Sequence, residues 1–203
     1  MKTAGLMALW RNPQWEDNLK DLLTYCDKVF LQFDIRHGDQ SIPERAKILC
    51  GDKLEILLIV NSPWDRANWR ERLLRLLDDY KPDVVLFPDE DERYGKWFMY
   101  DLEDFIESDK KYMMFDYRAP STDDGRIVNN NEPYPALPHM KAFKWEPNLT
   151  YYPYPTLARL ASYGVEFEYK AKTKLFHYCF YTKEEEARHI QTTGQRMQYS
   201  RTK

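Results

Sequence analysis

Four acidic residues stand side by side directly after an apolar segment of this chain, in the stretch "VVLFPDEDE". Asp89 and Asp91 are the pair best suited to chemistry, because carboxylate oxygens two positions apart can bind a hard divalent cation such as Mg²⁺ or Mn²⁺. An ion held there can bridge to substrate phosphates and stabilise charge on a departing diphosphate. The competing interpretation is a solvated acidic turn. Which one applies depends on where the fold places these side chains.

The elements that must position the acids alternate through the first ninety residues. Short apolar segments predict strands, and amphipathic segments that follow a capping residue predict helices. The predicted strands cover residues 5–10, 28–34, 54–60 and 83–87, and the helices begin near Asn12, Ser41 (in a capping-box pattern with Glu44) and Ser62. This alternation favours right-handed crossovers in a mostly parallel sheet with helices on its faces. Because ligands bind beyond the carboxyl ends of such strands, the acids are expected at the ligand-binding edge.

The second half of the chain is less regular. We predict a helix over residues 97–107, strands over 111–118, in "KAFKW" and within "VEFEYKAKTKLFHYCFY", and a helix around "PTLARLAS". Residues 119–139 have no periodicity and contain several prolines and asparagines, so they are predicted to be a loop. A loop of this length in a compact domain is usually functional or disordered.

Composition narrows the class of protein. Hydrophobic residues make up 43% and charged residues 31% of 203 residues, which is typical of a globular protein. The three cysteines are far apart and odd in number, which predicts buried thiols and a cytoplasmic location rather than a disulfide framework. Residues 78–125 carry 6 basic and 15 acidic side chains, and residues 126–203 carry 12 and 7. This asymmetry would suit a ligand that contains both metal and phosphate.

A nucleotide-binding sheet usually carries a glycine-rich phosphate loop, and this chain has only seven glycines and neither G-x-G-x-x-G nor a Walker motif. The D-x-D motif after an apolar strand instead resembles the GT-A fold of nucleotide-sugar glycosyltransferases, and family 2-like members in particular. Other segments agree: "GLMALWRN" resembles the first strand with its Arg-Asn turn, "MKAFKW" a K-x-F-R segment, and "FHYCFYTKEEEARH" a late His-Tyr followed by a helix.

The resemblance implies a single α/β domain with a GT-A-like (Rossmann-like) fold and a C-terminal strand-plus-helix extension. Residues 1–92 would form the nucleotide-binding half, residues 93–182 the acceptor half, and residues 183–203 a terminal helix and tail. It implies a Mn²⁺ or Mg²⁺ site at Asp89, Asp91 and His177, and donor contacts at Arg11, Asp34, Arg72, Asp89 and Glu90. The implied donor is a nucleotide-diphosphate sugar, with a UDP-sugar favoured. The acceptor would be a hydroxyl group of a glycan or of a hydroxymethylated base in DNA, as in phage enzymes.

The catalytic base is the weakest part of the likeness. Many inverting relatives carry a carboxylate soon after the segment that resembles "KAFKW", whereas residues 150–163 contain no acid. Glu146 and Glu132 are the nearest candidates in sequence, with Asp124 as a third, because the base must reach the acceptor hydroxyl. A retaining reaction is the alternative.

Two other functions are consistent with the same acids. One is a non-catalytic module that binds a nucleotide sugar or Ca²⁺. The other is a small nucleotidyl- or phosphotransferase, since paired acids with a metal ion serve those reactions as well.

Overall fold

The structure is a computed structural model, which describes residues 1–9, 15–35, 39–59, 66–90, 92–118, 139–151, 157, 160 and 163–177. At residues 66–69, 117–118 and 176–177 the backbone alone is described.

Helices and strands alternate from the start of the chain. The strands are β1 (Thr3–Leu9), β2 (Lys28–Asp34), β3 (Leu54–Ile59), β4 (Val84–Leu86), β5 (Glu92–Tyr94), β6 (Tyr112–Phe115), β7 (Tyr117–Arg118), β8 (His139–Lys144), β9 (Glu168–Lys170) and β10 (Leu175–His177). The α-helices are α1 (Trp15–Tyr25), α2 (Ile42–Cys50), α3 (Arg66–Tyr80) and α4 (Phe98–Glu107). Two 3₁₀ turns cover Gly51–Lys53 and Val165–Phe167.

The main sheet has seven strands in the order β3-β2-β1-β4-β8-β6-β9. The four strands predicted in the first half pair in parallel, while β8 enters antiparallel between β4 and β6. A second sheet has the order β5-β10-β7. The predicted α/β class is therefore correct, and the sheet is mixed because the second half of the chain adds strands of both directions.

Each face of the main sheet is covered by its own hydrophobic layer. Met7 and Leu9 of β1 face one layer, which contains Leu19 and Leu22 of α1 and the buried aromatic residues of α4. Ala4 and Leu6 face the other layer, which contains Leu73, Leu74 and Leu77 of α3. A strand covered on both faces has no polar side, so its sequence is continuously apolar. Burying each such Leu or Phe contributes about 1.5–3 kcal/mol.

Two local predictions were wrong in detail. Ser41 precedes α2 but makes no side-chain capping bond, because its backbone is already helical (φ −78°, ψ −15°). Its N–H instead bonds the Asp39 carboxylate at 2.9 Å. The strand predicted over 111–118 is divided at Asp116 between the two sheets, and the Asp116 carbonyl accepts the Leu175 N–H at 3.1 Å. Most of the helix predicted around "PTLARLAS" lies outside the described residues, and so do residues 119–138 of the loop predicted over 119–139. The last residue of that loop, His139, instead begins β8.

The cysteines that the structure describes are buried, as predicted. Cys26 and Cys50 both lie in the hydrophobic layer that contains α1. Burial raises the pKa of the Cys50 thiol to about 11 and raises that of Cys26 further. Cys179 lies outside the described residues, and the cytoplasmic location stays a prediction. Within the described part of the chain, no helix has the length and apolar character needed to span a membrane.

Candidate functional site

The acidic turn, residues 89–92, lies at the carboxyl edge of the main sheet. β4 ends at Leu86, and two residues lead from there to Asp89. β1 and β2 run parallel to β4, so their last residues, Leu9 and Asp34, lie at the same edge. This is the edge at which α/β sheets bind ligands.

Hydrogen bonds between its first and last residues close the turn. The backbone N–H of Glu92 donates to the Asp89 carbonyl at 3.0 Å. In return, the Asp89 N–H donates to Oε2 of Glu92 at 2.6 Å. The Glu92 side chain is only 1% exposed. One acid of the run is therefore an internal brace rather than part of a solvated face.

Two cations from elsewhere in the fold bind the turn. Lys141, at the start of β8, places Nζ 2.8 Å from Oδ2 of Asp89 and 2.8 Å from Oε2 of Glu92. Arg70, on α3, donates from Nη2 to the other carboxylate oxygen of Asp89. We call Arg70, Asp89, Glu92 and Lys141 the ionic quartet; it balances two positive against two negative charges.

The opposite charges within the quartet keep Asp89 and Lys141 ionised. Desolvation by itself would raise the pKa of Asp89, but the charges of Arg70 and Lys141 outweigh it and hold that pKa well below its ordinary value. Burial by itself would lower the pKa of the Lys141 ammonium, but Asp89 and Glu92 raise it above its ordinary value. At neutral pH the turn therefore presents a fixed, charged carboxylate at Asp89, whose side chain is 44% exposed.

Arg70 reaches the turn because of its place on α3. It precedes Leu73, Leu74 and Leu77 by three, four and seven residues, so it extends the buried stripe of the helix. Its guanidinium also donates to the Tyr151 hydroxyl and lies 5.0 Å from the centre of that ring.

Arg70, Asp89 and Tyr151 are the polar side of a cleft. The remaining lining of the cleft is apolar and consists of Leu6, Ala8, Leu73, Leu74, Phe87, Pro88, Phe143 and Leu157. The space inside this cleft is only about 30 Å³, well below the roughly 300–1,000 Å³ of a typical small-molecule pocket.

Asn18 of α1 contacts the acidic turn from the face of the main sheet that lies opposite α3. Its side-chain amide donates to the carbonyl of Glu90, and the residue is 1% exposed. Within the described part of the chain, the side-chain oxygens of Asn18 and Gln32 are buried without a hydrogen-bond partner. Gln32 is the register partner of Ala8, which lines the cleft. Both oxygens are spare acceptors close to the carboxyl edge.

The structure brings two other predicted residues to this edge. β10 pairs antiparallel with β5, and this register sets His177 opposite Glu92 of the acidic turn. Asp34 ends β2 and is buried, at 3% exposure. Its nucleoside contact stays a prediction. Arg72, by contrast, is exposed on α3, and the arginine that reaches the turn is its neighbour Arg70.

Glu146 lies at the opposite edge of the sheet. Because β8 is antiparallel to β4, Trp145 donates to the Asp83 carbonyl beside the start of β4. The length of β4 and its flanks, about 13 Å, separates that edge from the end of the strand. There the Glu146 carboxylate accepts the Tyr163 hydroxyl at 2.6 Å and pairs with Lys111 at 3.0 Å. A base must touch the acceptor, so this geometry does not support Glu146 in that role.

The remaining predicted site residues lie outside the described part of the chain. These are Arg11, Asp91, Glu132 and the third base candidate Asp124, together with the side chain of His177. Among the residues that are described, no three His, Cys, Asp or Glu side chains are grouped so that they could hold a metal ion.

Sequence reasoning missed both cations of the quartet. Lys141 and Lys144 alternate on a strand, a pattern that normally indicates side chains facing solvent, but Lys141 is 3% exposed. In a regular strand Lys141 would share the face of the buried Phe143 two residues later, which was an available signal. For Arg70 the signal was the i, i+3, i+4, i+7 spacing to the buried leucines of α3.

Comparisons with known proteins yield matches among solved structures. No protein-family model matches the chain, and no curated protein matches it. A 4-diphosphocytidyl-2C-methyl-D-erythritol synthase from Anaerococcus prevotii superposes with a TM-score of 0.55 at 12% identity, over 94% of this chain and 93% of that one. This likeness supports the predicted α/β, Rossmann-like fold, and at 12% identity it shows the fold alone.

Two further structures are similar over parts of the fold. S. aureus TarS 1–349 aligns with a TM-score of 0.44 at 18% identity, over 64% of this chain. The aligned region spans only 39% of that TarS structure. HddC from Yersinia pseudotuberculosis aligns with a TM-score of 0.49 at 11% identity, over 87% of this chain and 93% of that one.

Proposed function

We propose that this protein is a glycosyltransferase that moves a sugar from a nucleotide-diphosphate sugar to a hydroxyl acceptor. One observation carries the proposal: a braced acidic turn, with Asp89 exposed and charged, lies at the carboxyl edge of the sheet with the strand of His177 paired against it. Sugar transfer from such donors needs the diphosphate to be held and its developing charge to be neutralised. A UDP-sugar is the donor that we expect.

Mn²⁺ or Mg²⁺ is part of this proposal, and the donor atoms suit it. Asp89, Asp91 and His177 would hold the ion with carboxylate oxygens and an imidazole nitrogen. A carboxylate offers about four acceptor positions on its two oxygens. In the described part of the chain, Arg70 and Lys141 use two of those on Asp89, and the side chain is 44% exposed. Acceptor capacity is therefore left on the solvent side. When bound, the ion supplies positive charge to the leaving diphosphate.

The chain's own side chains orient the donor. Asp89 is held on both oxygens, so its direction is set before the substrate arrives. Arg70 lies on the polar side of the cleft beside Asp89, and its partly exposed guanidinium can donate to an oxygen of the nucleotide. Of the three predicted bases, we retain Glu132, with Asp124 as the weaker alternative.

The proposal is tested by donor turnover. Purified protein is incubated with a panel of UDP-, GDP- and CDP-sugars and Mn²⁺, and nucleoside diphosphate release is measured. Asp91→Asn should abolish release while the circular dichroism spectrum and Tm stay unchanged. Asp109→Asn, at a side chain that is 83% exposed, is the matched control and should keep full activity. An unchanged rate in Asp91→Asn would remove the acidic turn from the mechanism.

Nucleotidyl transfer is the second candidate. It is favoured by the likeness to a diphosphocytidyl-forming synthase, which extends over nearly the whole of both chains. The two reactions leave different products, because sugar transfer releases a nucleoside diphosphate and nucleotidyl transfer from a triphosphate releases pyrophosphate. Incubation with CTP or UTP and a panel of sugar and polyol phosphates, followed by mass analysis, separates them. Nucleotide binding with neither product would indicate a non-catalytic module.

The acceptor is proposed to be a glycan hydroxyl or a hydroxymethylated base in DNA. The basic C-terminal third permits contact with a polyanion, since phosphates are met by Lys and Arg. A gel shift on duplex DNA that weakens steeply with salt would favour DNA. If no gel shift is seen even at low salt, a glycan hydroxyl is the acceptor that the proposal keeps.

A further inference from the structure

Lys141 is a buried cation whose ammonium contacts two residues of the acidic turn. Its side chain is 4% exposed, and its ammonium lies 2.8 Å from a carboxylate oxygen of Asp89 and 2.8 Å from one of Glu92. These are the first and last residues of the acidic turn. Its backbone carbonyl takes part as well, because it accepts the Phe87 N–H at 3.0 Å and the Tyr94 hydroxyl at 2.9 Å.

Charge balance alone does not require the contact between Lys141 and Asp89. Lys141 and Glu92 are both buried, at 4% and 1%, and would already neutralise each other. Asp89 already has the Arg70 guanidinium on its other oxygen, and 44% of its side chain is exposed to solvent. The additional contact therefore ties a partly exposed carboxylate at the carboxyl edge of the sheet to a buried ion pair, and its effect is to fix where Asp89 points.

We propose that Lys141 is a positioning residue of this site, which acts through Asp89 and Glu92 to hold the acidic turn in the shape that binds the nucleotide donor. The inference rests on the proposed function. It assigns Lys141 an effect on donor affinity that is separate from its effect on stability. An ordinary buried ion pair would affect stability alone.

Two variants separate these effects. Lys141→Met leaves the buried Glu92 carboxylate without its ammonium, so it should lower Tm by about 10 °C. The double variant Lys141→Met with Glu92→Gln restores charge balance, and the amide oxygen of the glutamine can still accept the Asp89 N–H. We expect the double variant to recover most of the Tm, because no buried charge is left unpaired.

The deciding measurement is nucleotide affinity by isothermal titration calorimetry, with UDP and with CTP, each with Mn²⁺. The double variant should bind about tenfold more weakly than wild type, since one charge-assisted contact no longer orients Asp89. Lys141→Arg keeps the charge and should stay within about threefold of wild type.

Lys144→Met is the matched control, because Lys144 lies on the same strand at the other edge and donates to the Ile106 carbonyl at 3.1 Å. It should lower Tm without changing affinity. If wild type binds UDP or CTP and the double variant binds it equally well, Lys141 is a structural residue and the inference is wrong. If wild type binds no nucleotide, the proposed function fails, and the inference fails with it.

Discussion

Asp101 provides a quantitative test of how the second sheet is attached to the domain. It lies on α4 and is 2% exposed. Its carboxylate accepts the backbone N–H of Lys172 at 3.0 Å and that of Thr173 at 2.6 Å, with the Tyr169 hydroxyl at 3.3 Å. The two backbone donors belong to the turn between β9 and β10, and β10 carries His177 to the acidic turn. Asp101 therefore anchors the strand that completes the candidate site.

The cost of losing this anchor can be worked from those contacts. A hydrogen bond to a charged group contributes about 1.5–3 kcal/mol, and a buried N–H left unpaired costs about 1–3 kcal/mol. Asp101→Ala removes two hydrogen bonds to the backbone. It also leaves the N–H of Thr173 without an acceptor, and Thr173 is only 8% exposed. We expect a loss of about 3–5 kcal/mol in the free energy of unfolding. For a chain of this size the fall in Tm is about 10 °C.

Urea and thermal denaturation followed by circular dichroism measure both quantities. Asp104→Ala is the control, since Asp104 is on the same helix, pairs with Lys172 at 2.9 Å and is 53% exposed. Exposed pairs contribute little, so it should lose less than about 0.5 kcal/mol. An Asp101→Ala variant within about 1 kcal/mol of wild type would show that this anchor is not what holds the turn.

Three further predictions test other parts of the structure. Gly5→Ala should destabilise the protein by about 1–3 kcal/mol in urea denaturation, because the new Cβ would lie 2.7 Å from the buried Leu22 side chain. The Thr3 N–H donates to Asp27 at 2.8 Å and lowers the pKa of that carboxyl. Because a lowered pKa stabilises the fold only while the group is ionised, Asp27→Asn should be less stable than wild type at pH 7, and the difference should shrink below about pH 4. Glu146→Gln should leave the transfer rate unchanged, because that carboxylate lies at the edge away from the acidic turn; a rate that falls a hundredfold would restore it as the base.

Local pattern was enough to predict the first half of the fold. The strands around residues 28–34 and 54–60 are β2 and β3 almost residue for residue. Helical spacing sets Trp15, Leu19, Leu22, Leu23 and Cys26 on one face, and all of them are buried except Leu23, which is partly buried. These predictions succeed because strand and helix periodicity are properties of neighbouring residues. In a parallel sheet the residues that follow each strand lie at the carboxyl edge, so the position of the acidic turn could be predicted as well.

The site could be predicted only in part, because its partners come from distant segments. Asp89 meets Arg70 across 19 residues and Lys141 across 52 residues. The contact with Arg70 requires α3 to pack beside the end of β4, and the contact with Lys141 requires β8 to enter antiparallel beside β4, which no local pattern in "KAFKW" specifies. The antiparallel direction of β8 also places Glu146 at the opposite edge of the sheet. Closeness in sequence to "KAFKW" was therefore a poor guide to the catalytic base.

The sequence by itself determined that an acidic turn ends the fourth strand of a doubly covered sheet, since apolar periodicity and connection rules depend on nearby residues. Only the tertiary structure decided that Glu92 and Lys141 are buried beneath the turn while Asp89 keeps an exposed carboxylate. The physical reason is that a charge can be buried only where an opposite charge from another strand or helix lies against it. The order of the strands determines which charges become neighbours.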